Sequence, residues 1–243
     1  MAGHPKVTVV IPTYNAARYL AEAVESALNQ TYADREVLVV DDGSTDRTPF
    51  LLEQYGSAIR TIRKPNGGTP SALNEGIRQA RGEWIAWLSA DDAFLPEKLA
   101  KQMAYAEAHP ECALIYTNWF VVDARGRTVS HTASPTFRSR ADQVQQLLRA
   151  CVINGSTTLV RREVYLRAGL FDESLPQAHD WDMWLRLARD YRFGHVAEPL
   201  VRYRWHGENM SARPDALAYN ERVLQKARAH LGLHPPTQGG GRE

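Results

Sequence analysis

The chain has 243 residues, 44% hydrophobic and 23% charged, with 6 Trp and 10 Tyr, enough apolar side chain to bury the core of one or two soluble domains. Lys and Arg number 29 against 28 Asp and Glu and form no run, which excludes the electrostatic footprint of a nucleic-acid-binding protein. Cys112 and Cys151 are too few and too far apart for a disulfide framework or a zinc knuckle, MAGHPKVTVVIPTYN lacks the apolar stretch of a signal peptide, and no window reaches the ~18 apolar residues of a membrane span, so a cytoplasmic protein is expected, with peripheral membrane contact left open.

The first elements alternate. KVTVVIP is a β-branched run ended by Pro12, and YLAEAVESALNQ follows with Leu20, Val24, Ala27 and Leu28 at helical spacing. EVLVVDDGSTD repeats the form, an apolar strand, an acidic turn and a Ser44/Thr45/Asp46 cluster suited to a helix N-cap. AIRTIRK predicts a third strand, PNGGTPSALNEGIRQARGE a Gly-rich turn and a helix, and WIAWLSADD a strand apolar enough to be covered on both faces. This alternation predicts an open α/β sheet, mainly parallel. In such sheets ligands sit beyond the carboxyl ends of the strands, so Pro12 to Asn15, Asp41/Asp42 and Asp91/Asp92 are expected to converge on one crevice.

The pattern changes after about residue 122. DARGRTVSHTASPTFRSRADQ reads as a long polar loop, QVQQLLRACVI as a short helix, and GSTTLVRREVYLRAGLFDES as a strand followed by a helix. DWDMWLRLARDY is a helix with Trp181, Trp184, Leu185 and Ala188 on one face, and GHVAEPLVRYRWHGENMS is a strand running into a polar turn. A last helix spans about 214–231, and HPPTQGGGRE is a flexible tail by composition.

Asp91 and Asp92 pose the sharpest chemical question. Adjacent carboxylates at the mouth of a buried strand repel one another unless a cation neutralises them. Mg²⁺ or Mn²⁺, held by one or two carboxylates together with substrate phosphates, answers that need. The plainer reading has Asp92 capping the helix in FLPEKLAKQMAYA while Asp91 is solvated.

Four stretches taken together, VTVVIPTYNAARYLAEAVESALNQTY, EVLVVDDGSTDRT, NGGTPSALNEGIRQARGEWIAWLSADD and HDWDMWLRLA, resemble in order and spacing the inverting family 2 glycosyltransferases of GT-A fold. The resemblance covers about residues 5 to 212. It implies a Rossmann-like sheet flanked by helices, with a nucleotide-sugar-binding half over 1–122, an irregular acceptor-binding and catalytic-base half over 123–212, and a C-terminal helix and tail over 213–243. It also implies a nucleotide-sugar donor, a divalent metal, and displacement at the anomeric carbon with inversion.

Carried over by position, Pro12, Thr13 and Tyr14 match the base pocket, where Tyr14 can stack on a pyrimidine. Asp42 matches the acceptor of the base imide N–H, flanked by Asp41. Gly67 and Gly68 would let backbone approach the donor, and Asn74 matches a polar position facing it. Leu73 stands where many relatives carry Arg, and Lys64 is read either as a substitute phosphate contact or as solvated. In the triplet Ala90-Asp91-Asp92, Asp92 matches the metal ligand and Asp91 the support for ribose or donor sugar. Asp180 matches the catalytic base, with His179 in place of the more frequent Glu; Asp182 is the rival, four residues before Arg186 and suited to a helix-face ion pair. Trp181 is a candidate acceptor-binding residue, and Trp184 reads as core. His206 matches a segment in which a His approaches metal or diphosphate, while Arg202 and Arg204 alternate along the same strand.

The same residues bear on readings of other classes. A receiver-type acidic pocket needs a phospho-acceptor Asp after the third strand, which AIRTIRK does not provide. A sugar nucleotidyltransferase needs a Gly-rich loop with Arg and Lys where this chain has PTYNAAR. A non-catalytic nucleotide-sugar-binding module is opposed by the joint presence of Asp42, Asp92 and Asp180. UDP sugars are the implied donors ahead of GDP and dTDP sugars, and the implied acceptor is a carbohydrate or lipid-linked hydroxyl, in polysaccharide or glycoconjugate synthesis.

Overall fold

The structure, a computed structural model, describes residues 4–207, 209 and 216–232; the tail expected from His234 onward and part of the turn after His206 lie outside the described residues. Strand β1 (Val7–Thr13), helix α1 (Leu20–Leu28), β2 (Arg35–Asp41), α2 (Thr48–Glu53), β3 (Arg60–Arg63), α3 (Thr69–Gln79) and β4 (Trp84–Trp87) realise the predicted alternation. β1 pairs in parallel with β2 on one side and β4 on the other, and β2 with β3, so that Thr13, Asp41 and Arg63 end at one level. The period-2 geometry of a strand shows directly in the burial. Val9 and Ile11 of β1, with Val37 and Val39 of β2, pack toward α1 and α4 (Lys98–Ala108), whereas Val10, Leu38 and Val40 pack toward α3.

Beyond β4 the sheet is mixed rather than parallel. The short strand β8 (Leu159–Arg161) lies antiparallel between β4 and β6 (Cys112–Val122), and β6 runs parallel to the long β9 (Arg192–Arg204). The two-residue strand β5 (Ala93–Phe94) closes the edge antiparallel to β9, with Ala93 opposite Arg202. One sheet therefore runs through both halves expected from sequence. The segment read as a long loop after residue 122 contains β7 (Thr128–Thr132), paired with the end of β6; its side chains are largely exposed, so it carries no apolar alternation. The described residues are completed by α5 (Arg140–Arg149), α6 (Arg162–Arg167), α7 (His179–Asp190) and α8 (Ala216–His230). Among them no helix is long and apolar enough to cross a membrane.

Close packing of α3 on the sheet depends on Gly76, where an added Cβ would stand 2.4 Å from Val10 Cγ1. Gly76→Ala gains about 1 kcal/mol of helix propensity but overpacks a stiff β-branched neighbour at a cost of about 1–3 kcal/mol. The expected outcome is a lower urea midpoint with an unchanged denaturant slope.

Candidate active site

A cavity of about 660 Å³ opens at the carboxyl ends of β1 and β4 and is walled on the far side by the turn before β8 and the start of α7. Of the residues picked from sequence, it is lined by Pro12, Tyr14, Asp91, Asp180, Trp181 and His206, and not by Thr13, Asp41, Asp42, Asn74 or Asp92. Long-range strand pairing explains the first group. Because β5 pairs with the end of β9, Asp91 just before β5 meets His206 just after β9, and Asp91 Oδ2 lies 3.0 Å from His206 Nε2. His206 is steadied by its main-chain N–H donating to Asn209 Oδ1 at 2.9 Å, while Asn209 Nδ2 donates to the Arg204 carbonyl at 2.8 Å.

The hydrogen-bond partners of the second group explain its absence. Asp92 is buried, its Oδ2 accepting from Ser156 Oγ at 2.6 Å and its Oδ1 from the Arg204 N–H at 2.9 Å. Burial and the neighbouring Asp91 charge push its carboxyl well above the usual range. Asp92, expected to ligate the metal, thus has each oxygen hydrogen-bonded inside the fold and does not line the cavity, while Asp91 does. Asp91 and His206 bring one carboxylate oxygen and one imidazole nitrogen together; among the described residues no group of three or more His, Cys, Asp or Glu could hold a metal. That donor set fits Mg²⁺ or Mn²⁺ with the remaining positions left to phosphate oxygens and water.

Asp41 and Asp42 organise turns. Asp41 Oδ1 accepts from the Ser44 N–H at 2.9 Å. Asp42, also buried, accepts from Lys64 Nζ at 2.6 Å, from the Gly67 N–H at 3.0 Å and from the Gly68 N–H at 2.7 Å. Lys64 and the N–H groups of Gly67 and Gly68 thus all meet the Asp42 carboxylate. Asn74 is turned away from the cavity, exchanging hydrogen bonds with the Phe171 main chain (2.8 and 3.0 Å) and donating to Glu173 Oε1 at 2.8 Å. Leu73 packs in the core beneath it. Arg204, one of the two arginines considered for phosphate, is buried and fully engaged within the protein.

Helix α7 begins after Ala178, a left-handed residue with φ 55° that turns the chain so that Asp180 reaches the cavity in the first helical turn. Asp180 Oδ1 accepts from the Trp181 N–H at 2.8 Å, and Cys151 Sγ stands 3.8 Å from Oδ2. Asp182 faces the other way, paired with Arg186 at 2.9 Å and with Lys226 of α8 at 2.8 Å. Trp181 touches the cavity but is buried, its indole N–H donating to the Leu147 carbonyl at 2.7 Å; Trp184 is core. Residues passed over in the sequence complete the lining: Arg18, Tyr19, Trp87, Asn154, Gly155, Gln177 and, from α8, Asn220. Gly155 carried the one available signal, since a Cβ there would sit 2.3 Å from the Trp87 ring.

Comparison with known proteins bears on what this cavity is. The family model for glycosyl transferase family 2 matches residues 8–167. The chain belongs to glycosyl transferase family 2. An uncharacterized glycosyltransferase of Rickettsia typhi is 36% identical over 83% of this chain, and chondroitin synthase of Escherichia coli is 32% identical over 94% of it. The chain spans 64% of the length of the first relative and 33% of the second. Among solved structures, Staphylococcus aureus TarS in complex with UDP-GlcNAc superposes with a TM-score of 0.73 at 24% identity, covering 91% of this chain and 66% of that one. A mannosyltransferase from Pyrobaculum calidifontis, solved with GDP-Man and Mn²⁺, gives 0.63 at 23% identity, covering 96% and 66%. These likenesses establish the GT-A fold for this family member.

Helix α8 is fastened to α7 and the turn before it by Lys226, which bonds Asp172 at 2.7 Å as well as Asp182. Burial raises the Asp172 carboxyl, but the bonds from Lys226 and Ser174 outweigh it and hold it well below the ordinary range. A carboxylate held low in the folded state stabilises above its unfolded pKa of about 3.9, and that contribution is lost as pH falls through the folded value. Lys226→Met is expected to cost about 1 kcal/mol at pH 7, with the difference from wild type shrinking below about pH 4, read by urea denaturation at the two pH values.

Proposed function

We propose that this chain transfers a sugar from a nucleotide-sugar donor, a UDP sugar first, to an acceptor hydroxyl with inversion at the anomeric carbon. The observation that carries the reading is a single cavity on which the Asp91–His206 pair and the Asp180 carboxylate meet, supplied by elements far apart in sequence. Asp91 and His206 would hold Mg²⁺ or Mn²⁺, which when bound supplies charge neutralisation on the departing nucleoside diphosphate. Tyr14, half exposed at the rim, offers its ring to the base. Asp180 takes the proton of the acceptor hydroxyl as that oxygen bonds to the anomeric carbon and the bond to the diphosphate breaks. Direct displacement of this kind inverts the centre. Likeness to chondroitin synthase supports a place in polysaccharide or glycoconjugate synthesis.

Calorimetry of UDP with Mn²⁺ and with chelator tests the metal assignment. The expected outcome is tighter binding with metal, a difference abolished in Asp91→Ala. Equal affinities in wild type would overturn it.

Single-turnover transfer at saturating donor tests the base. Asp180→Asn keeps the shape and removes the basicity, so transfer is expected to fall by at least about 10² with donor affinity nearly unchanged. Retention of most of the rate would overturn the assignment of Asp180 as the base.

A further inference from the structure

The cavity wall holds an aromatic ring to which the chemistry above gives no part. Tyr19 stands just before α1 and lines the cavity, yet its hydroxyl oxygen is buried and meets no hydrogen-bond partner among the described residues. What Tyr19 offers the site is therefore its ring. That ring belongs to neither apolar core. Its neighbours are nitrogen-bearing groups instead: the guanidinium carbons of Arg18 and Arg204 lie 4.9 and 4.7 Å from its centroid, and the His206 ring lies 5.2 Å away between centroids, inclined by 33°.

The ring is anchored from the protein side. The Tyr19 N–H donates to the Ala16 carbonyl at 3.1 Å, and the Asn15 and Ala16 N–H groups are held by Ser44 Oγ at 2.9 Å and Thr48 Oγ1 at 3.0 Å, which pins the turn before Tyr19 to the turn after β2. Arg204 is buried and bound to the Asp91 and Asp123 carbonyls and to Glu22, so the cation drawn to the tyrosine ring is itself immobile. His206 has no such frame. It follows the last residue of β9, beyond the strand pairing that fixes its neighbours, and its imidazole must still present Nε2 to Asp91 Oδ2 at 3.0 Å. A metal-binding imidazole depends on surrounding groups that set its ring orientation, and losing one of them typically weakens the metal by about 10- to 100-fold.

We infer that Tyr19 is a positioning residue: its ring, held by Arg204 and by the turn after β2, packs His206 in the orientation that makes the Asp91–His206 pair competent to hold the metal. The inference rests on the metal reading given above. Ring and hydroxyl have separable roles here. Tyr19→Phe keeps the ring and loses a hydroxyl that has no partner, whereas Tyr19→Leu and Tyr19→Met keep apolar bulk and lose the ring.

The test is calorimetry on wild type and these three variants, each checked for folding by thermal unfolding. UDP, GDP and dTDP are first titrated into wild type with Mn²⁺ and with chelator, and Mn²⁺ is then titrated into each protein saturated with whichever nucleoside diphosphate binds. Expected are Mn²⁺ affinity at least about 10-fold weaker in Tyr19→Leu and Tyr19→Met, Mn²⁺ affinity within about twofold of wild type in Tyr19→Phe, and nucleotide affinity in chelator within about twofold throughout. The assignment is overturned if a folded Tyr19→Leu or Tyr19→Met binds Mn²⁺ as wild type does, if Tyr19→Phe loses Mn²⁺ as they do, or if nucleotide affinity in chelator falls together with the metal. If neither non-aromatic variant folds, the ring supports the fold rather than the site, and the assignment is equally overturned. If wild type binds none of the three nucleotides, or binds them equally with Mn²⁺ and with chelator, the metal reading fails and the inference with it.

Discussion

A buried guanidinium holds the cavity end of this molecule together. Arg204, 2% exposed, donates from Nε to the Asp91 carbonyl at 2.9 Å and from Nη1 to the Asp123 carbonyl at 3.2 Å, pairs through Nη2 with Glu22 of α1, and lies 4.7 Å over the Tyr19 ring. A cation taken out of water is tolerated only when its donors are met, and removing one partner leaves a cost of several kcal/mol. That demand fixes α1, the approach to β5, the turn after β6 and the end of β9 relative to one another. Asp91 and His206 inherit their positions from it.

The same accounting divides the acidic residues into two kinds. Asp41, Asp42 and Asp92 are buried, and their oxygens accept hydrogen bonds from turn N–H groups, from Lys64 and from Ser156. They shape the rim of the crevice by satisfying backbone that would otherwise be left unpaired. Asp91 and Asp180 keep surface on the cavity and are the carboxylates available to chemistry. Nothing in residue type separates the two kinds; the supply of internal donors does.

The second half of the chain builds the wall of the cavity that faces the ends of β1 and β4. A turn before β8 places Ser156 against Asp92 and Gly155 against Trp87, and the buried Lys98 and Gln102 of α4 hold that turn by its Thr157 and Thr158 carbonyls. α8 closes the outer side through Lys226 and adds Asn220 to the lining. This wall of the cavity is therefore a composite of short contributions from several elements, which is why it has no compact signature.

Local periodicity carried much of the fold. The β-branched runs of β1 and β2, the helical spacing of α1 and α7, and the acidic or Gly-rich turns at the strand ends were legible because each is a property of neighbours in the chain. Recognition of four stretches in register added the family and singled out Asp180 and His206, which both line the cavity. β7, with exposed side chains, left no such trace, and the antiparallel insertion of β8 between β4 and β6 depends on pairing partners that adjacency in sequence does not reveal. The two adjacent aspartates make the division plain. Asp91 and Asp92 are chemically identical on the page, but one side chain is turned to the cavity and the other into the protein, where the N–H of Arg204 and the hydroxyl of Ser156, 112 and 64 residues away, receive it. Which aspartate lines the cavity was settled by those distant donors, because only packing brings a carboxylate and its hydrogen-bond partners within 3 Å.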